Sequence, residues 1–226
     1  IEYVRHYVSD RTSFKLVTDR LENKKPGEKM FLFNVTMQNH GGYTYDGGEF
    51  PTVTISNLQG HYKEAEQYLS LIKESDKAFE ELVRYLKNYD EPTIVVMFGD
   101  HQPAVEQEFY EELYGKSLSK LSTEELQQRY KIPFVIWANY DIESQDDLKT
   151  SPNYLSDLLL DTANVPKNEI ENFTSEVRND VPQINAMGHY DSDGNWVSRD
   201  EDTSNALDKY EAVEYYMLTR KENKDA

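Results

Sequence analysis

The sequence predicts an α/β fold, built on a mostly parallel sheet with flanking helices. Two apolar runs carry this prediction, at residues 30–36 (MFLFNVT) and 93–98 (TIVVMF), and each ends in polar residues. Between them, apolar residues recur at helical spacing over residues 61–89. Strand, helix and strand in this order form a βαβ unit, whose strands are parallel and whose ligands bind beyond their carboxyl ends.

Other segments complete the predicted fold. The helix predicted at 61–89 could be broken near Ser75. Its end is predicted at the turn signal Asn88–Pro92. An acidic helical stretch precedes a third strand at 132–138, and Pro152 suits the first turn of a helix over 153–163. Further on, the sequence predicts a hairpin at 189–197 and a helix at 206–218.

The composition excludes several classes of function. With 17 Tyr, 9 Phe, 38% hydrophobic and 29% charged residues, the chain is typical of a globular domain rather than of a disordered segment. Its 24 Lys and Arg against 42 Asp and Glu leave a net charge of −18, so no nucleic-acid partner is expected. Cys is absent, which excludes disulfides and thiolate zinc sites. No apolar run reaches the roughly 18 residues that a membrane span needs.

A carboxylate and an imidazole, Asp100 and His101, directly follow the second predicted strand. Oxygen and nitrogen donors together suit manganese or zinc better than calcium. Gly99 would permit close backbone approach, and Pro103 would stiffen the exit of the loop. An Asp-His pair at a strand end can also be merely structural or exposed, so these residues alone leave both interpretations open.

His40 lies in the loop after the first predicted strand, within Thr-Met-Gln-Asn-His-Gly-Gly. In a βαβ unit this loop and that of Asp100 open on the same edge of the sheet. The two histidines, His40 and His101, could therefore face one cleft. A lone loop histidine is otherwise most often just exposed.

Taken in order, FLFNVTMQNHGGY, IVVMFGDHQP, IPFVIWANY and SPNYLSDLLL resemble the second half of the catalytic domain of lipoteichoic acid synthases and related phosphoglycerol transferases. These enzymes belong to the alkaline phosphatase and sulfatase superfamily. The likeness covers residues 10–163. It implies the C-terminal part of an alkaline phosphatase-like fold, and we expect one domain fragment over residues 1–226, with a core at 1–165 and a C-terminal hairpin and helix at 166–226.

The resemblance also implies roles for individual residues. Asp100 and His101 would be ligands of one catalytic Mn²⁺ ion, with Zn²⁺ or Mg²⁺ as alternatives, and His40 would contact the phosphoglycerol group of the substrate. The family's Thr nucleophile, its acidic metal ligand and its phosphate-binding Arg would lie before Ile1. No nucleophile is therefore assigned within the chain. Thr36 is interpreted as a β-branched residue that packs at the end of a strand. The isolated fragment is expected to be inactive.

The resemblance implies partners as well. They are an anionic lipid of the phosphatidylglycerol type, a glycerophosphate polymer or glycolipid acceptor, and the N-terminal half of the same catalytic domain. Segments preceding this sequence would attach the protein to the cell membrane, with the catalytic domain outside the cell. Two alternatives stay open: a sulfatase, phosphoethanolamine transferase or phosphodiesterase of the same superfamily, and a non-catalytic module that binds glycans on the Tyr-rich loop at 43–50.

Overall fold

A computed structural model describes residues 1–48, 50–203 and 205–219 of the chain. The chain divides into two compact units. The first comprises Ile1–Thr93 and Gly99–Pro133, and the second comprises Ile94–Phe98 and the described residues from Phe134 onwards. The predicted core at 1–165, with its addition at 166–226, stays a prediction.

The first unit is mainly helical and is built around two packed helices. A short hairpin of β1 (Tyr3–Val4) and β2 (Tyr7–Val8) precedes α1 (Asp10–Glu22), and α1 packs on the long helix α2 (Lys63–Leu86). Buried apolar residues on α2 recur at helical spacing; Ala65, Ala78, Leu82 and Leu86 lie on the face that the sequence predicts, whereas Leu71 is buried in place of Ile72, which is exposed. Two shorter helices follow, α3 (Gln107–Tyr114) and α4 (Thr123–Gln127).

In its described residues, the second unit combines a two-stranded sheet with three α-helices and a small meander. The strands β3 (Ile94–Phe98) and β4 (Phe134–Ala138) pair along their whole lengths. The other elements are α5 (Leu155–Thr162), α6 (Glu169–Asp180), β5 (Gln183–Asn185), β6 (Gly188–Tyr190), β7 (Trp196–Ser198) and α7 (Asn205–Thr219). A core of Tyr154, Val177 and Tyr210 joins these helices, and the predicted hairpin is confirmed as β6 and β7.

The α/β class is confirmed, but two details of the prediction are wrong. Residues 30–36 form no strand, and Phe31, Phe33 and Val35 are 80%, 72% and 67% exposed. Without a hydrogen-bonded neighbour strand, this apolar run has no surface on which to bury its side chains. The βαβ pairing is consequently absent, and the strand pairs of the described residues are all antiparallel.

Candidate functional site

His40 lies in a loop, residues 37–43, that two helices hold in place. The buried amide of Gln38 links the helices, since its Oε1 accepts the Asp10 backbone N–H at 3.0 Å and its Nε2 donates to Ser75 Oγ at 3.2 Å. Asp10 begins α1 and Ser75 lies in the middle of α2. This His40 loop is therefore anchored to α1 and α2 through Gln38, while the imidazole of His40 is exposed.

The β1–β2 hairpin holds the same loop from a second side, through Arg5. The Arg5 guanidinium donates hydrogen bonds to the carbonyl oxygens of Gln38 (2.8 Å), His40 (2.8 Å) and Gly42 (3.1 Å). Five N–H donors in a rigid plane make Arg suited to binding several acceptors at once. One side chain thereby fixes three carbonyl groups of the His40 loop.

Aromatic rings surround the Arg5 guanidinium. Its carbon lies 5.4 Å from the ring centre of Tyr7 and 5.6 Å from that of Tyr43, within the range of cation–π attraction. Burial lowers the pKa of Arg5, and the neighbouring Tyr43 and Tyr7 act in the opposite direction. Tyr7 also reaches the predicted site residue, because its Oη lies 3.1 Å from Nδ1 of His40.

The sequence reasoning missed both Arg5 and Tyr7. The hairpin that presents them has no Gly or Asn in its turn, so it lacks the usual hairpin signal. Arg5 itself takes the left-handed conformation there, with φ of 55°. The register pairs Tyr3 with Val8 and Val4 with Tyr7, so no same-face pattern in the sequence indicates that Arg5 and Tyr7 meet.

Asp100 and His101 follow β3, as predicted, and are highly exposed, with side chains 85% and 75% accessible. Nδ1 of His101 lies 2.8 Å from the carbonyl oxygen of Gln102, and Nε2 lies 3.4 Å from Oδ2 of Asp100. If Nδ1 carries the proton that this carbonyl accepts, the lone pair of Nε2 points to the side of the Asp100 carboxylate. The two side chains then present two donor atoms side by side.

The loop that carries this pair is well anchored. Nε2 of Gln102 donates to the carbonyl oxygens of Gln128 and Lys131, each at 2.9 Å. The Tyr110 hydroxyl donates to the Pro103 carbonyl at 2.6 Å. The backbone of the loop is thus fixed on the side away from solvent, although its two polar side chains are exposed.

Electrostatics relate the two loops, which belong to the same unit. Burial is the main cause that raises the pKa of Tyr43, and the negative charge of Asp100 adds to the rise. Asp100 is thus one of the charges that act on Tyr43, a residue of the His40 loop. Within the described residues, no third His, Asp or Glu completes a group that could hold a metal ion.

Other candidate residues are engaged in packing. The Thr36 side chain is one of the groups that lower the pKa of the Asp10 carboxyl, against the larger effect of burial, which raises it. In the Tyr-rich loop, Tyr43 is buried, and the Tyr45 ring meets those of His6 and Phe50 edge-on. Within the described part of this loop, the rings of Tyr43 and Tyr45 therefore pack against other rings of the protein.

A family model described as Sulfatase matches residues 2–165 of the chain. This match covers more than half of the sequence and includes all three predicted site residues, His40, Asp100 and His101. The chain therefore belongs to the sulfatase family. The superfamily predicted from the sequence motifs is confirmed.

The chain is also similar to two proteins of Rhizobium meliloti (strain 1021). A candidate cyclic beta-1,2-glucan modification protein of Rhizobium meliloti (strain 1021) is 25% identical over 206 residues, which are 88% of this chain and 27% of that protein. The capsular polysaccharide biosynthesis protein RkpI of the same organism is 32% identical over 97 residues, 43% of this chain and 16% of the relative. The chain thus spans about a quarter or less of these two proteins.

Among solved structures, the fold is similar to that of the Streptococcus pyogenes phosphoglycerol transferase GacH, determined in complex with sn-glycerol-1-phosphate. The TM-score is 0.63 at 20% sequence identity, and the match covers 93% of this chain and 48% of the GacH chain. At this identity the likeness establishes the fold. It confirms the predicted alkaline phosphatase-like architecture.

Proposed function

We propose that this chain supplies part of the active site of a metal-dependent phosphoglycerol transferase. The supporting observation is the position of two anchored loops in one unit, one with the exposed pair Asp100 and His101 and the other with His40. Membership of the sulfatase family supports phosphoryl or sulfuryl ester chemistry. The transferred group is proposed from the printed description of the GacH structure, with its phosphoglycerol ligand.

Asp100 and His101 would hold a divalent cation, Mn²⁺ in the first instance and Zn²⁺ or Mg²⁺ as alternatives. The chemistry of the donors fits: Oδ2 of Asp100 and Nε2 of His101 lie 3.4 Å apart, close enough to contact one ion together. They form only part of a coordination shell, since the described residues contain no group of three. A bound cation would neutralise charge on the transferring phosphoryl group and activate a hydroxyl nucleophile.

The chain's own residues would bind and orient an anionic substrate. His40 would donate a hydrogen bond to a phosphoryl or glycerol oxygen, with its backbone held by Arg5 and Gln38. The net charge of −18 repels an anion in general, so binding depends on local donors and on the cation. The Thr36 side chain acts on the buried Asp10 carboxyl, whose pKa it lowers, and we propose that a segment outside this sequence supplies the nucleophile.

For the donor and acceptor we propose an anionic lipid of the phosphatidylglycerol type and a hydroxyl group of an envelope glycan or glycerophosphate polymer. The names of the two Rhizobium relatives refer to cyclic glucan and capsular polysaccharide, which supports a carbohydrate acceptor. Such chemistry belongs outside the cell membrane, where we propose that the domain acts. No helix within the described residues is both long and apolar enough to cross a membrane.

The proposal is tested by titrating the chain with Mn²⁺ and measuring the bound fraction of the ion by electron paramagnetic resonance. Weak binding is expected, and Asp100→Ala or His101→Ala should abolish it. Asp76→Ala, which removes an exposed carboxylate on α2, is the matched control and should bind as the wild type does. Equal binding by all of these variants would refute the metal site.

A second test concerns transfer itself. In a protein that joins this chain to the remaining sulfatase-domain sequence of its relatives, release of diacylglycerol from phosphatidylglycerol should require Mn²⁺, Asp100 and His101. The isolated chain should release none. Robust metal-dependent release by the isolated chain would contradict the proposed division of the site, and sulfate-ester hydrolysis by the longer protein would favour a sulfatase.

A further inference from the structure

The exposed imidazole of His40 has a neighbour that no sequence motif indicates. The Tyr7 hydroxyl lies 3.1 Å from Nδ1 of His40, and the two rings are tilted by 46° with centres 5.5 Å apart. An exposed histidine ordinarily samples several rotamers and both neutral tautomers. Contact with a phenol through both its ring and its hydroxyl removes much of that freedom.

Tyr7 is itself held in place by the residue that fixes the His40 backbone. The Arg5 guanidinium lies over the Tyr7 ring while it donates to the His40 carbonyl at 2.8 Å. Arg5 lies in the turn of the hairpin and Tyr7 begins β2, so the guanidinium reaches the Tyr7 ring directly, 5.4 Å from its centre. One short hairpin thus controls both the backbone and the ring of His40.

The direction of the hydrogen bond between Tyr7 and His40 decides which ring nitrogen of His40 carries the proton. Among the described residues, the hydrogen-bond partner that the structure gives for the Tyr7 hydroxyl is Nδ1 of His40. A phenol has one hydrogen to donate, and an unprotonated Nδ1 is a good acceptor. When the phenol donates to Nδ1, the proton of the neutral imidazole resides on Nε2.

We propose that Tyr7 is a positioning residue, which fixes His40 as the tautomer with its proton on Nε2. In that form, Nε2–H is a hydrogen-bond donor toward a phosphoryl or glycerol oxygen, and His40 needs no positive charge to bind an anion. This inference rests on the proposed role of His40 in substrate binding. The tautomer itself does not depend on that role.

The decisive experiment is nitrogen NMR of the full 226-residue chain with ¹⁵N-labelled histidine, which distinguishes a protonated from an unprotonated ring nitrogen. His40→Gln assigns the His40 signals by their loss. In the wild type, His40 should show an unprotonated Nδ1 and a protonated Nε2. In Tyr7→Phe, which keeps the ring and removes the hydroxyl, the two tautomers should become mixed.

The matched control is Tyr3→Phe, which removes an exposed hydroxyl from the same hairpin. It should leave the His40 signals unchanged. A wild-type His40 protonated on Nδ1, or a Tyr7→Phe spectrum identical to the wild type, would overturn the proposal. The wild-type spectrum alone is decisive if Tyr7→Phe fails to fold.

A separate measurement distinguishes this proposal from the proposed function. In the longer protein, His40→Ala should abolish transfer, and Tyr7→Phe should weaken it by about threefold to tenfold, the effect of one hydrogen bond. Unchanged transfer in His40→Ala would refute the substrate role of His40 and leave the tautomer result standing. Loss with His40→Ala but none with Tyr7→Phe would refute the positioning role alone.

Discussion

The side-chain oxygen of Gln38 accepts the backbone N–H of Asp10 at 3.0 Å, which joins the His40 loop to the first turn of α1. Both residues are almost fully buried, and the amide nitrogen of Gln38 continues the network to Ser75 on α2. Buried polar groups of this kind are costly when a partner is removed, because no water replaces it. The loop that carries His40 is therefore part of the interior structure of its unit.

Gln38→Leu should lower the free energy of unfolding by about 1–3 kcal/mol, since it leaves the Asp10 N–H without its acceptor. Gln107→Leu is the control, because the exposed Gln107 amide donates to the Glu111 carboxylate, one turn along the same helix. Urea unfolding followed by circular dichroism measures both. Equal midpoints for the two variants would show that the buried amide is not essential to the fold.

The raised pKa of the buried Asp10 carboxyl makes the free energy of unfolding depend on pH. Burial raises the pKa of its carboxyl, against hydrogen bonds from Ser75, Thr36 and Gln38. The folded state then binds the proton more tightly than the unfolded state does, so this group stabilises the fold most below its unfolded pKa. That contribution falls as pH rises through the folded pKa. Relative to Asp10→Asn, the wild type should therefore lose stability with increasing pH.

Urea unfolding of both proteins at a series of pH values, at micromolar concentration, measures this difference. Asp161→Asn should show the opposite trend, because hydrogen bonds and charges of Lys167 and Arg178 outweigh burial and lower the Asp161 pKa. Its contribution is present above the unfolded pKa and is lost as pH falls. Parallel pH profiles for the two variants would contradict the assigned environments.

Local patterns predicted the long helix and the two paired strands well. Residues 61–89 were predicted helical and α2 spans Lys63–Leu86, because apolar spacing on one face is a local property that packing reinforces. The helix is continuous through Ser75. The Ser75 hydroxyl donates to the Asp10 carboxylate, a partner 65 positions away that the local pattern does not reveal.

Long-range partners explain what the sequence could not predict. Residues 30–36 have the composition of a strand, but strand formation also requires a neighbouring strand, which local pattern does not specify. The β1–β2 hairpin carries no turn signal, and it is held instead by Arg5 contacts to carbonyls 33 to 37 positions away. Asp100 and His101 were located at the end of a strand as predicted, whereas Tyr7 becomes visible as a neighbour of His40 only in three dimensions.

The ion pair of Arg178 with Asp157 predicts a large effect of one substitution. Asp157 is fully buried, and its Oδ2 lies 3.4 Å from Nε of Arg178 and accepts from Ser175 Oγ at 3.0 Å. Arg178→Met leaves this carboxylate buried without a counter-charge and should cost about 3–5 kcal/mol. The change is measured by urea unfolding at neutral pH.

Arg84→Met is the matched control for that substitution. Arg84 pairs with Glu80 at 2.6 Å, but both side chains are 68% exposed. An exposed pair of this kind contributes at most about 1 kcal/mol. Similar losses for Arg84→Met and Arg178→Met would show that burial of Asp157 does not set the strength of its pair.

The apolar side chains of residues 30–36 predict a surface that binds hydrophobic probes. Phe31, Phe33 and Val35 alternate along an extended segment, and all three are more than two-thirds exposed. Replacing them together by Ser should sharply reduce the fluorescence of a bound naphthalene sulfonate dye, while the unfolding midpoint stays nearly constant because little burial is lost. Leu113→Ser, an isolated exposed position on α3, should leave dye binding unchanged. A large drop in stability of the triple variant would instead mean that this segment is packed in solution.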